Sequence, residues 1–245
     1  MASLQKTEAI VLRKINYGDT SKIVTLYTLH FGKITAIVKG GRASKSKIGA
    51  VVDTLNHVEI VFYDKSTRDV QLISQADLIN HFPRIREDLE KFKYAAAILE
   101  LIQNLIHMNE PHERIFLGTG KIFTLMDSGE ESAQLLFVRY FLFFIDELGY
   151  GLQLDKFTDT GVNLSECDSV IFNNDKGFIN GELAKEYLVM FHFDKELFNL
   201  LACLSTRNKV LKFNEEQIDR LIYFLEKYLK YHINEFNGLK SLQVY

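Results

Sequence analysis

TEAIVLRK at Thr7–Lys14, SKIVTLYTL at Ser21–Leu29 and KITAIVK at Lys33–Lys39 are three short β-branched runs, parted by turns at Gly18-Asp19 and Phe31-Gly32. Branched side chains suit a pleated surface buried on one face, and glycine with aspartate suits the reversals between strands. A longer run, Ala50–Asp64, carries alternating Val58, Ile60 and Phe62; beyond an Asp64-Lys65-Ser66 turn, RDVQLIS at Arg68–Ser74 supplies a fifth strand. Five strands with no long helical pattern among them predict a small barrel or sandwich. The five-stranded OB-fold is the economical choice, and it is a common platform for oligonucleotides.

After His81-Phe82-Pro83 the apolar period changes from two to that of a helix. Phe92, Ala95, Ala96, Leu99, Ile102 and Ile106 predict one long helix over 84–109, and His112–Met126 a second beyond Pro111. Glu131–Leu148 is apolar nearly all round, as the central helix of a bundle should be, and Gly149 is placed for a left-handed cap. Residues 152–180 lose helical period and read as an irregular excursion with a short hairpin ending at Gly177-Phe178-Ile179. Helices resume over 181–189, 194–206 and 214–236, the last opened by Asn214 with Gln217 three residues on. The expected fold class is multidomain α+β: an OB barrel over 1–80, then a helical domain over 81–245 that contains the excursion.

Charge divides the same way. Residues 1–80 hold 11 Lys+Arg against 7 Asp+Glu, a net of +4, and residues 81–245 hold 18 against 25, a net of −7. Lys39-Gly40-Gly41-Arg42-Ala43-Ser44-Lys45-Ser46-Lys47 packs four cations into nine residues with no acid. Such a loop draws polyanions, since each cation meeting a phosphate releases counterions, although a solvated basic turn reads identically. Balanced charge and 47% hydrophobic content exclude a disordered chain, and two cysteines exclude a disulfide scaffold. No apolar run has the length of a membrane span, and MASLQKTEA lacks a signal-peptide core, so a soluble cytoplasmic protein is expected.

Catalytic and metal signatures are weak. Gly118-Thr119-Gly120-Lys121 resembles a fragment of a phosphate loop, but no upstream glycine or strand accompanies it. His107, Glu110, His112 and Glu113 flank the Pro111 break, where exposed polar residues are ordinary. Cys167 and Cys203 form no CxxC pair, and no nucleophile stands at a recognisable distance from a base. No catalytic residue, metal site or cofactor is expected. Tyr17, Tyr27 and Tyr63 lie in the strand region and are candidates either for base stacking or for barrel packing.

Taken in order along the chain, these stretches resemble one family, the bacterial RecO recombination mediators. The resemblance rests on Glu8–Arg13, Tyr17-Gly18-Asp19-Thr20-Ser21-Lys22-Ile23, Leu26-Tyr27-Thr28, Phe31-Gly32-Lys33 and, most specifically, Val38-Lys39-Gly40-Gly41-Arg42 with Ser44–Lys47 and Gly49. It continues in Arg139-Tyr140-Phe141 through Leu148-Gly149-Tyr150, and ends in Gly238-Leu239-Lys240-Ser241-Leu242. Many members carry a zinc ribbon after the LGY ending. Here Phe157 and Thr160 stand where its first cysteines would be, and Cys167 cannot complete four-coordinate zinc alone. A metal-free, degenerate zinc-ribbon-like loop held by Phe157, Phe172 and Phe178 is the expectation.

The resemblance implies a protein that binds single- and double-stranded DNA, anneals complementary strands and works with RecR to load RecA onto DNA coated by the single-stranded DNA-binding protein SSB. It implies a cytoplasmic protein, at the nucleoid during repair, that docks the SSB C-terminal tail on its helical domain. Lys39, Arg42, Lys45 and Lys47 are then expected to meet backbone phosphates from one mobile loop, with Arg13, Lys14, Lys22 and Lys33 extending the track or merely solvating the barrel. A cation beside an apolar groove suits a tail carboxylate; Arg139 is the first candidate and Arg114 the second. An OB-fold RNA-binding module and a protein-only interaction scaffold are the competing readings.

Overall fold

The computed structural model describes residues 3–154, 168–206 and 212–243. Five strands, β1 (Ser3–Tyr17), β2 (Ser21–Thr28), β3 (Gly32–Val38), β4 (His57–Asp64) and β5 (Val70–Asn80), close a barrel in the order β1-β2-β3-β5-β4. All neighbours are antiparallel except β3 and β5, which is the pairing of an OB-fold. The alternation seen in the sequence becomes the interior: Ala9, Val11, Val24, Leu26, Ile34, Ala36, Val38, Val58, Ile60, Phe62, Ile73 and Ala76 form one buried cluster.

The long run Ala50–Asp64 is not one strand. Its beginning lies in a one-turn helix, α1 (Lys47–Val51), capped by Ser46, whose hydroxyl accepts the Gly49 amide. Ile48, Val51 and Val52 turn inward on the barrel core, so tertiary burial outweighs the strand propensity of two adjacent valines. The chain then passes through Leu55 at φ 77°, a left-handed backbone held in place by paired hydrogen bonds with β1, Leu55 N–H to Val11 O and Val11 N–H to Asn56 O.

The helix expected over 84–109 is two helices. α2 (Pro83–Glu87) stops at Asp88, whose extended backbone and carboxylate cap α3 (Leu89–Leu105) by accepting the Glu90 and Lys91 amides. α4 (Glu113–Ser128) and α5 (Ala133–Glu147) match expectation, and α5 is buried on every side from Leu135 to Val138. Gly149 takes φ +85° as the expected cap.

The excursion yields the hairpin β6 (Ser169–Asn173) and β7 (Gly177–Asn180). No helix spans 181–189. A 3-10 turn, Gly181–Leu183, is followed by turns and by β8 (Phe191–Asp194), which pairs with the other edge of β6. Gly181 lies so close to Ser169 that a Cβ would stand 1.9 Å from its hydroxyl, and this close crossing holds the segment against β6. α6 (Lys195–Ser205) and α7 (Glu215–His232) follow, α7 with the full Asn214/Gln217 capping box. Phe172 and Phe178 pack edge to face at 4.9 Å, with Phe193 and Phe224 completing the cluster. Phe157, Thr160 and Cys167 lie outside the described residues.

By internal contact the chain divides into two compact units, 1–133 with 239–245, and 134–238. The barrel and α2–α4 belong to the first. The three-stranded sheet, α6 and α7 belong to the second.

Candidate nucleic-acid interface

The basic stretch 39–47 forms a set of turns fastened to the β1–β2 hairpin rather than a free loop. Gly40 takes φ +68°, and Gly49 approaches Gly41 so closely that a Cβ would meet its carbonyl oxygen at 1.9 Å. Only glycine permits this fold-back. The Arg42 amide donates to Thr20 O at 2.8 Å, and the Arg42 guanidinium donates from Nη1 to Gly18 O. Lys22 Nζ donates to Gly49 O at 2.7 Å. Between hairpin and loop lies an open cleft of about 350 Å³ whose lining includes Asn16, Lys22, Arg42, Ser44 and Ser46. Lys39, Lys45 and Lys47, in the same stretch of chain, are exposed.

The other cations of the expected track divide by face. Arg13 lies opposite Thr25 on the outward face of β1 and is exposed. Lys14 and Lys22 oppose Val24 and Val38, so both project on the inner side of the sheet, at the mouth of the barrel under α1. Lys14 is paired there with Asp53. Burial pushes the Asp53 carboxyl up, but its hydrogen bond and charge contact with Lys14, the Thr54 amide and the Arg86 charge outweigh that and hold it below the ordinary aspartate value.

Lys33 does not share this surface. It is 8% exposed, and its Nζ donates to Gln103 O at 2.6 Å in the last turn of α3, where the helix dipole favours a cation. Burial lowers its pKa. The segment after α3 closes over this end of β2 and β3: the Asn109 amide donates to Lys33 O at 2.9 Å, and Tyr27 Oη donates to His112 O at 3.0 Å. Gly32 is required at this junction, since a Cβ would lie 2.4 Å from Glu110 backbone atoms. Tyr27 is therefore a packing residue, whereas Tyr17 and Tyr63 are exposed.

Arg114 is exposed in the first turn of α4, and Arg139 is half-buried on α5; the two stand in different units. One cation escaped the sequence reading. Arg86 donates to Thr54 O, Asn56 Oδ1 and His81 O, tying α2 to the segment between α1 and β4. Its signal is only tertiary. Among the described residues no three His, Cys, Asp or Glu converge as metal ligands, and no helix is long and apolar enough to cross a membrane.

A closed OB barrel with a basic hairpin-and-loop face, followed by helices, defines an α+β protein of the OB class. Residues 1–82 match the family model described as Recombination protein O N terminal, and residues 86–243 match Recombination protein O C terminal; the chain belongs to the RecO family, whose work is DNA repair by recombination. It is similar to DNA repair protein RecO of Chlorobium limicola, 36% identical over 174 residues covering 71% of this chain and 67% of that one. DNA repair protein RecO of Chloroherpeton thalassium is 30% identical over 255 residues, 99% of this chain and 98% of that one.

Proposed function

We propose that this protein is a recombination mediator: it binds single- and double-stranded DNA, anneals complementary strands, and with RecR promotes RecA loading onto SSB-coated DNA. In this reading residues 1–80 form the DNA-binding domain and residues 81–245 serve partner proteins. One observation carries it. In a RecO-family chain, Lys39, Arg42, Lys45 and Lys47 are gathered on a loop that hydrogen bonds hold against the β1–β2 hairpin, with Arg13 on the adjoining sheet face. Lys14 and Lys22 shape the rim of that loop through Asp53 and Gly49. Annealing needs no bond-making group. It needs cations that screen two phosphate backbones while base pairing supplies specificity. For the SSB tail, Arg139 is the proposed partner of the terminal carboxylate, since it sits half-buried on the most apolar helix, with Arg114 the alternative site.

The test is annealing of complementary oligonucleotides, bare and SSB-coated, across a salt series. Salt-sensitive acceleration that survives SSB coating and fails with tail-truncated SSB is expected. Replacing Arg42, Lys45 and Lys47 by Glu should weaken binding to all sequences and flatten the logarithmic salt slope for single strands by about 2. No acceleration by folded protein, or tighter binding to RNA than to DNA, overturns the proposal.

A further inference from the structure

The cations around the cleft are engaged in two different ways. Arg42 and Lys22 donate to the main-chain carbonyls Gly18 O and Gly49 O, which carry no charge. Lys14 instead meets a carboxylate, Asp53 Oδ1, at 2.5 Å. Among the described residues it is the one cation of the expected track that stands in an ion pair. The difference matters to a polyanion. A phosphate that takes Arg42 or Lys22 displaces a neutral acceptor, whereas one that takes Lys14 must outcompete a negative charge.

Asp53 is fixed, and Lys14 is the part that can move. The Asp53 amide donates to Val51 O at 2.9 Å, its carbonyl accepts the Asn56 amide at 3.0 Å, and Leu55 beyond it is tied to β1 through Val11 O. From the other side Arg86 donates to Thr54 O and Asn56 Oδ1. The carboxylate thus stands on a short, rigid segment, and Lys14 reaches it on a long flexible stem. The two side chains are 39% and 40% exposed, and an ion pair so open to water is weak enough for a phosphate to break. Departure of Lys14 does not strand the acid, because the charge of Arg86 still bears on it. Position favours the exchange as well. Lys14 opposes Val24 and Asn16 opposes Lys22, so Lys14 lies on the same sheet face as the cleft residues Asn16 and Lys22. Two residues along a strand separate it from them, about 7 Å.

Resting on the DNA-binding reading, we propose that Asp53 is a positioning residue that holds Lys14 in reserve: its carboxylate occupies the lysine in the free protein, yields it to a phosphate when DNA arrives, and takes it back as DNA leaves. The pair lowers the affinity of the surface and speeds release. A protein that joins two strands must let go of the duplex it makes. An internal anion that recaptures a lysine shortens the time the product stays bound, and it leaves the choice of strands to base pairing.

Fluorescence anisotropy with a labelled oligo-dT and a labelled duplex, across a salt series, tests this on the full chain. Asp53→Asn keeps the size of the side chain and an oxygen for the Thr54 amide, and thermal melting checks its fold. Where that variant melts early, Asp53→Ser takes its place. In the parent a freed Asp53 regains a counterion and offsets what the phosphate loses; in the variant nothing does. The expected result for oligo-dT is binding about fivefold tighter at about 0.1 M salt, with a logarithmic salt slope steeper by about 0.7. The duplex should steepen by about 0.9 and dissociate more slowly. Lys14→Met should change the parent by less than about twofold, and should abolish the gain when combined with Asp53→Asn. Unchanged or weakened binding by Asp53→Asn overturns the proposal. So does a gain that survives Lys14→Met, because Asp53 then acts through the general field and not through the lysine. A parent that binds neither DNA overturns the DNA-binding reading and this proposal with it, whereas the other two outcomes overturn the reserve alone.

Discussion

Lys33 shows what a lysine in a basic segment is worth when its surroundings are known. Its position among the other cations is visible in the sequence, but its burial under the segment after α3 is not, because that contact joins residues about 70 apart. Lys14 differs from Arg13 for a related reason. A register shift between Val11 and Arg13 resets the alternation of β1, and a slip of one residue moves a side chain to the opposite face. Identity was legible in the sequence at these sites, and face was not. Lys33→Met should leave DNA affinity within about twofold of the parent, because a buried ammonium contributes little counterion release. The same variant changes the response to alkali. The folded pKa of Lys33 lies below its ordinary value of about 10.4, so between the two the unfolded chain binds more protons and the parent gains stability as pH rises. Thermal melting at pH 8 and pH 10 should show that increment in the parent and not in the variant. Weakened DNA binding by Lys33→Met would return Lys33 to the interface.

Elements announced by local signals were readable at the scale of the helix or strand. The Asn214/Gln217 box, the apolar circumference of α5 and the β-branched runs of β1 to β3 each carry their cause within a few residues. Short elements decided by distant partners were not. α1 forms because Ile48, Val51 and Val52 cover the barrel, and β8 forms because β6 offers an edge. The C-terminal turn belongs to the second kind. Glu100 on α3 accepts the Lys240 amide at 3.0 Å, the Ser241 amide at 2.9 Å and the Ser241 hydroxyl at 2.8 Å, beside the fully buried Leu239. One carboxylate thus satisfies three donors at the start of a 3-10 turn, which charge-assisted bonding favours. Glu100→Ala should cost about 1–3 kcal/mol in urea unfolding and expose the amides of residues 240 and 241 to exchange. If those amides keep their protection, Leu239 alone holds the tail.

Across the whole molecule, charge divides the chain. The cationic loop stands on the barrel within residues 1–80, where the net charge is +4, while the net charge of 81–245 is −7. Phosphate binding by the acidic part would work against its own field. The aromatic cluster of the second unit offers a way to separate the two. Phe224 is fully buried and meets Phe193 at 4.9 Å and Phe172 at 5.2 Å, both edge to face. Phe224→Ala leaves a cavity where an aromatic ring stood, and should destabilise residues 134–238 by about 3–5 kcal/mol. The barrel cluster contains none of these residues, so its stability should be unaffected. Melting followed by circular dichroism should show an early loss of helical signal in the variant. Oligonucleotide affinity measured just above that transition should match the parent if the barrel holds the whole DNA surface. A parallel fall of affinity and helical signal would instead place part of that surface in the second unit, and the charge division would then report only which residues dominate binding.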